Sequence, residues 1–200
     1  MINKLLLATN NANKLKEFRR IFDGSGIEIL SPSQLGINHE VEEDSDTFKG
    51  NAYKKAYEFM QISGLPAVAD DSGLCVNALD GSPGVYSARF ASENGENSDD
   101  EANNDKLLRL MQDKEDRSAY YVCAIALVNT DGTVIETEGR CSGEIAYERS
   151  GSGGFGYDCI FYLPEYGCTM ASISADEKNS MSHRSKAIHE LFNEMKNRQA

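Results

Sequence analysis

Lys4-Leu5-Leu6-Leu7-Ala8-Thr9-Asn10-Asn11-Ala12-Asn13-Lys14 opens the chain with an apolar run that gives way at once to polar residues. Residues 4–8 lack polar alternation, as a strand covered on both faces would. Three asparagines follow within residues 9–13, which is turn and capping chemistry. Leu15, Phe18 and Phe22 then recur at i, i+3 and i+7, the spacing of an amphipathic helix. Strand, polar loop, helix is the start of an α/β fold.

Working outward, Ile27–Leu30 reads as the next strand. Residues 46–60 read as a second helix with Phe48, Ala52, Tyr53, Ala56, Phe59 and Met60 as its buried stripe. Residues 66–69 form a short strand running into Asp70-Asp71-Ser72-Gly73. A third helix covers about 99–113. Two long strands, 119–129 and 133–142, flank the hairpin signal Asn129-Thr130-Asp131-Gly132. Another strand lies over 158–163, and a last helix begins near Ser182 with Arg184, Ala187, Ile188, Leu191, Phe192 and Met195 on one face. No linker or internal repeat divides residues 1–200, which predicts one compact domain.

Composition narrows the function classes. The chain has 200 residues, with 20 Lys+Arg against 32 Asp+Glu and a net charge of −12. A surface that tracks nucleic acid needs clustered Lys and Arg, so that partner is disfavoured. No apolar run approaches the roughly 20 residues of a membrane span, and the N-terminal run is too short for a signal peptide. The five cysteines, Cys75, Cys123, Cys141, Cys159 and Cys168, form no C-x-x-C pair. That usage predicts free thiols and a cytoplasmic location.

Several segments carry chemistry. The Thr9–Lys14 loop, at a helix N-terminus, could serve as a cap or hold phosphate, with Lys14 as a full charge. Residues 39–46 pack five acids into eight positions, and Asp70-Asp71 ends an apolar strand. If these two acidic segments meet, they suit Mg2+, which takes few carboxylates plus water and phosphate oxygens. Lys55 shares a helix face with Ala52 and Phe59, where its ammonium needs anions or must snorkel to water. Gly50 in that helix costs about 1 kcal/mol against Ala. Gly151, Gly153 and Gly156 spell G-x-G-x-x-G but lead into a strand, so a Rossmann site is excluded by context. The same loop lets backbone approach a ligand closely, with Phe155 and Tyr157 as flat faces. Lys178, His183 and Arg184 cluster near a helix start, where cations need an anionic or accepting partner. Residues 92–105 carry six acids and no base and read as a solvated loop.

In order along the chain, Ala8-Thr9-Asn10-Asn11-Ala12-Asn13-Lys14, Glu42-Glu43 with Thr47-Phe48 and Asn51-Ala52, Ala69-Asp70-Asp71-Ser72-Gly73-Leu74, Pro83–Arg89, Gly153-Gly154-Phe155-Gly156-Tyr157-Asp158, and Glu177-Lys178 with Ser182-His183-Arg184 resemble the RdgB-like inosine/xanthosine triphosphate pyrophosphatases. The resemblance implies a mixed α/β fold with an elongated central sheet flanked by helices, two lobes with a cleft between them, and a homodimer. It implies Mg2+-dependent hydrolysis of ITP, dITP or XTP to the monophosphate and pyrophosphate. Thr9, Asn10, Asn11, Ala12, Asn13 and Lys14 would hold the triphosphate, with Lys55 helping to neutralise it. Asp71 would be general base and metal ligand, with Glu42 the second ligand and Glu43 beside it. Ser72 would contact the substrate. Phe155, Gly156, Tyr157 and Asp158 would stack on and bond the purine, and Lys178, His183 and Arg184 would read its edge. The chain departs from the family pattern at Asn10 (often Gly), Gly50 (often Glu) and Cys159 (often Pro). A noncatalytic nucleotide binder, or a pyrophosphatase acting on pyrimidine or modified nucleotides, would be the competing functions.

Overall fold

A computed structural model describes residues 2–198. Its strands are β1 (Lys4–Leu7), β2 (Glu28–Leu30), β3 (Ala67–Val76), β4 (Ser118–Val128), β5 (Val134–Ile145), β6 (Phe161–Leu163) and β7 (Cys168–Thr169). Its helices are α1 (Ala12–Phe22), α2 (Phe48–Ser63), α3 (Asp100–Leu110), α4 (Ala175–Met181) and α5 (His183–Asn197). The strands form one mixed seven-stranded sheet in the order β2-β1-β3-β4-β5-β6-β7. β1 pairs in parallel with both β2 and β3, while β5–β6 and β6–β7 are antiparallel. The expected α/β class, with helices flanking a mixed sheet, is what the chain adopts.

The chain divides into two compact units. The first comprises residues 1–71, 123–139 and 184–200. Its sheet is buried on both faces, which is why β1 reads as an unbroken apolar run. Leu5, Leu7 and Val68 pack with Phe18, Phe22, Ile188 and Leu191 of α1 and α5. Leu6, Ala67 and Ala69 pack with Ala52, Ala56 and Phe59 of α2. Neighbouring strand residues point to opposite faces, so Asp70 follows Val68 toward α1 and α5, and Asp71 follows Ala69 toward α2. The second unit comprises residues 72–122 and 140–183. Its core joins Leu74, Val76, Leu107, Met111, Tyr121, Ile145, Tyr157 and Phe161.

Three local expectations change. The Asp70–Gly73 stretch is not a strand end, because β3 runs on through it to Val76. The buried stripe of α2 contains Asn51 and Lys55, both under a tenth exposed, whereas Tyr53 is 40% exposed. The pattern placed Tyr53 in the stripe, which the structure corrects, whereas Lys55 lies on the apolar face where the pattern put it and finds anions there. Finally, residues 158–160 are turn rather than strand, and a separate short helix, α4, precedes the last one.

Gly50 has a physical reason. It is the third residue of α2, whose N-cap is Thr47, with the Thr47 hydroxyl accepting from the Gly50 N–H. A glutamate at that position would reach back to the N-cap N–H as a capping box. Here the Thr47 N–H donates instead to Ser45 Oγ, at 3.2 Å. A Cβ on Gly50 would lie 2.1 Å from that same Oγ. The Ser45 hydroxyl thus does the work of the missing glutamate and fills its space.

Candidate active site

In the first unit, β3 presents two adjacent carboxylates in opposite electrostatic settings. Asp71 Oδ1 accepts from Lys55 Nζ at 3.3 Å and Asp71 Oδ2 from Asn51 Nδ2 at 3.1 Å, both donors on α2. Lys55 Nζ also donates to Glu43 Oε1 at 2.9 Å. Burial pushes the Asp71 carboxyl up, and the Glu43 charge adds to that; Lys55, Lys14 and Asn51 oppose without winning. Burial would strip the Lys55 proton, but the charges of Asp71, Glu43 and Asp70 hold its pKa above the ordinary lysine value. Asp71 is therefore a desolvated carboxylate, more basic than usual, beside a fixed cation.

Asp70 sits deeper, 3% exposed. Its Oδ2 meets Lys14 Nζ at 3.1 Å and Arg184 Nε at 3.2 Å. Arg184 also binds Glu17 of α1. Burial again raises the Asp70 pKa, but the charges of Lys14, Arg184 and Lys55 outweigh it and hold the group well below the ordinary aspartate range. Asp70 fixes two cations; Asp71 is the one placed to take a proton.

The acidic segment resolves between two glutamates. Exposure alternates residue by residue from 37 to 46, as in extended chain, with Val41 and Glu43 turned in and Glu42 and Asp44 turned out. Glu43, not Glu42, therefore reaches Lys55. Glu42 is exposed and its charge acts on Lys54. Glu42, expected as the second metal ligand, thus stands exposed beside Glu43 and takes no part in the Lys55 pair.

The Thr9–Lys14 loop is built as a helix cap. Asn11 Oδ1 accepts from the N–H groups of Asn13 and Lys14, at 2.9 and 3.1 Å, and Thr9 Oγ1 accepts from the Asn11 N–H. Asn10, Asn11, Ala12 and Asn13 are exposed, and Thr9 and Lys14 are half-buried. A phosphate arriving here meets the helix N-terminus together with Lys14.

In the second unit, Asp158 Oδ2 accepts from the Phe155 N–H at 3.0 Å and from Lys178 Nζ at 2.6 Å. Lys178 Nζ also lies 4.8 Å from the Phe155 ring centre. Gly154 carries φ +75°, and a Cβ there would fall 2.0 Å from Asp158 Oδ2; only glycine permits this turn. Phe155 and Gly156 stay half-exposed. Tyr157 does not offer a free face: it is 4% exposed in the core and its hydroxyl donates to the Ser87 carbonyl at 2.7 Å. His183 is buried, its ring stacked on Tyr121 with centroids 4.7 Å apart. Ser72 is half-buried on β3.

A buried carboxylate paired with a lysine, a capped helix start with a second lysine, and an aromatic glycine loop all fall within residues that match the Ham1 family over 5–194. The chain belongs to the Ham1 family. The dITP/XTP pyrophosphatase of Desulfotalea psychrophila is 49% identical over 191 residues, covering 96% of this chain and 84% of that protein. The protein of the same name from Desulforamulus reducens is 48% identical, covering 92% of each chain. The structure of a HAM1 protein from Coxiella burnetii superposes with a TM-score of 0.89 at 37% identity, covering 98% of this chain and all of that one.

In this Ham1 chain, the contacts of Glu17 with Arg184 and of Asn51 with Asp71 have no local signal in the sequence beyond the motif that contains Asn51. Glu17 looks like an exposed helix charge, and Asn51 like a neutral break in a stripe. Glu43 was told from Glu42 only by the alternation about it. No periodicity marks Glu17 or Asn51, since each is explained by a partner far away in sequence.

Proposed function

We propose that this Ham1-family enzyme, a nucleoside triphosphate pyrophosphatase like its relatives, hydrolyses ITP, dITP or XTP to the monophosphate and pyrophosphate with Mg2+. The observation that carries the reading is Asp71, a buried, basic carboxylate bonded to Lys55 and Asn51. Such a group suits proton abstraction from the water that attacks the α-phosphorus. Asn51, bonded to the other oxygen, keeps the carboxylate from rotating. Lys55 and Lys14 carry charge that offsets the leaving pyrophosphate, and most of the rate in such reactions comes from positioning and charge neutralisation.

Among the described residues, no group of three or more His, Cys, Asp or Glu converges as a full metal cage. Asp71 and Glu43, both within reach of one ammonium, suit instead a hard cation that keeps its waters and takes one or two carboxylates. Those two residues would hold Mg2+, which when bound would add further positive charge against the phosphates. Thr9 to Lys14 take the triphosphate, and Ser72 contacts the nucleotide. Phe155 stacks on the base, with Asp158, Lys178 and His183 reading its edge and Gly156 and Tyr157 anchoring the loop, while Arg184 holds Asp70. A buried donor set matched to a 6-keto purine leaves adenine mispaired, an effect able to give large discrimination. The protein acts as a cytoplasmic homodimer.

Pyrophosphate release measured across ITP, dITP, XTP, GTP, ATP and a pyrimidine triphosphate, with Mg2+ and with chelator, tests this. Turnover of the first three, dependent on Mg2+ and lowered about 10²–10⁴-fold in Asp71→Asn, is the expected outcome. Equal turnover of ATP sinks the selectivity, and full activity of Asp71→Asn sinks the base.

A further inference from the structure

The acidic stretch at residues 92–105, which looks like solvated surface, is not used by the site just described. In the second unit it supplies two side chains to the backbone of a single residue, Gly156. α3 starts at Asp100, capped by Asp99, whose Oδ1 accepts from the Ala102 N–H at 2.7 Å. Asp100 Oδ2 accepts the Gly156 N–H at 2.7 Å. One turn along, Asn104 Nδ2 donates to the Gly156 carbonyl at 3.0 Å. Residues at i and i+4 share a helix face, so one face of α3 grips both polar groups of Gly156.

The grip is well defined. Asn104 is 1% exposed, and its Nδ2 also donates to the Asp100 carbonyl at 2.7 Å. With carbonyls on both sides, the amide end facing Gly156 must be the nitrogen. Gly156 lies between two other anchored residues: Phe155, whose N–H is held by Asp158, and Tyr157, whose hydroxyl is held by Ser87. A segment carrying glycine at 151, 153, 154 and 156 has little conformational preference of its own. The direction of the Phe155 ring is therefore set by the Asp158 bond within the loop together with those of Asp100, Asn104 and Ser87 from outside it.

We propose that Asp100 and Asn104 are positioning residues that clamp Gly156 and so hold Phe155 in the orientation used for base selection. This rests on the reading that Phe155–Asp158 receives the base. The clamp belongs to recognition and not to bond breaking, because Asp71 and Lys55 stand on β3 and α2. Its loss appears in KM and in selectivity, with kcat spared.

The test is steady-state hydrolysis of ITP and ATP by the full-length protein and by Asp100→Ala, Asp100→Asn, Asn104→Ala and Phe155→Ala, each with a thermal melt. Asp100→Ala is expected to raise KM for ITP about three- to tenfold, the scale of one lost hydrogen bond. It should leave kcat within about twofold and lower the ITP-to-ATP ratio of kcat/KM by a similar factor. Asp100→Asn keeps an acceptor oxygen and should stay within about twofold of the parent. Asn104→Ala should move KM in the same direction; because that side chain is buried, exposed Asp100 decides if Asn104→Ala fails to fold. The clamp is overturned if Phe155→Ala raises KM for ITP and Asp100→Ala does not. It is equally overturned if Asp100→Asn behaves as Asp100→Ala, since the effect is then one of charge at a helix start. If Phe155→Ala itself leaves KM for ITP unchanged, the base-loop reading fails and the clamp with it.

Discussion

Asp70 and Asp71 are one residue apart and chemically far apart. The pleat of β3 sends one to the α1–α5 side and the other to the α2 side. Asp70 stays ionised because Lys14 and Arg184 share its Oδ2. Removing one partner of a buried charge set leaves the others uncompensated, at a cost of about 3–5 kcal/mol. Asp70→Asn is accordingly expected to lower the melting temperature by roughly 10 °C, given about 2–4 °C per kcal/mol at this size. The pH sense follows from the direction of the shift. A folded pKa held below the ordinary aspartate value means the unfolded chain binds the proton more readily. The contribution is then complete above the unfolded pKa of about 3.9 and is lost as pH falls below it. Melts of metal-free protein from pH 7 to pH 3 should show the difference between parent and Asp70→Asn shrinking at the acid end. A constant difference would assign the loss to packing instead.

At the scale of elements, the start of α2 shows how a local rule is broken and mended. Alanine exceeds glycine by about 1 kcal/mol inside a helix, so Gly50→Ala is stabilising on propensity alone. The Ser45 hydroxyl, 2.1 Å from where the Cβ would sit, reverses the sign. Gly50→Ala should destabilise by about 1–3 kcal/mol, the usual cost of overpacking. In a Ser45→Gly background the same change should become neutral or stabilising, measured by denaturant unfolding of the four proteins of the cycle. If Gly50→Ala costs the same in both backgrounds, Ser45 is not what excludes the side chain. The extended segment before α2 works through a different period. Its two-residue alternation turns Glu43 to Lys55 and leaves Glu42 on the surface. Glu43→Gln should therefore reduce kcat/KM much more than Glu42→Gln, by at least about tenfold, in pyrophosphate-release assays with Mg2+.

For the whole molecule, the net charge of −12 implies self-repulsion that works against the compact state. Salt shortens the reach of that repulsion to about 8 Å at physiological ionic strength, while the buried Asp70 pairs are little screened. Raising NaCl from near zero to about 0.15 M should lift the melting temperature by a few degrees. A fall would mean that exposed ion pairs outweigh the net repulsion.

The pattern of residues along the chain determined much of this protein. The apolar run of β1, the helical stripe of α1, the β4–β5 hairpin and the order of the motifs follow from local periodicity and turn chemistry. The same reading singles out Lys14, Lys55, the Asp70-Asp71 pair and the aromatic glycine loop as segments that carry chemistry. Only the tertiary structure decided that β3 continues through Asp70-Asp71, that Asn51 is buried against Asp71, that Lys55 meets carboxylates rather than water, and that Glu43 and not Glu42 bonds it. It alone brought Glu17 to Arg184 and drew Asp100 and Asn104 from an acidic stretch onto Gly156. The division has one physical reason. Backbone periodicity is written over a few neighbouring residues, whereas the cost of burying a polar group is set by partners tens or hundreds of positions away.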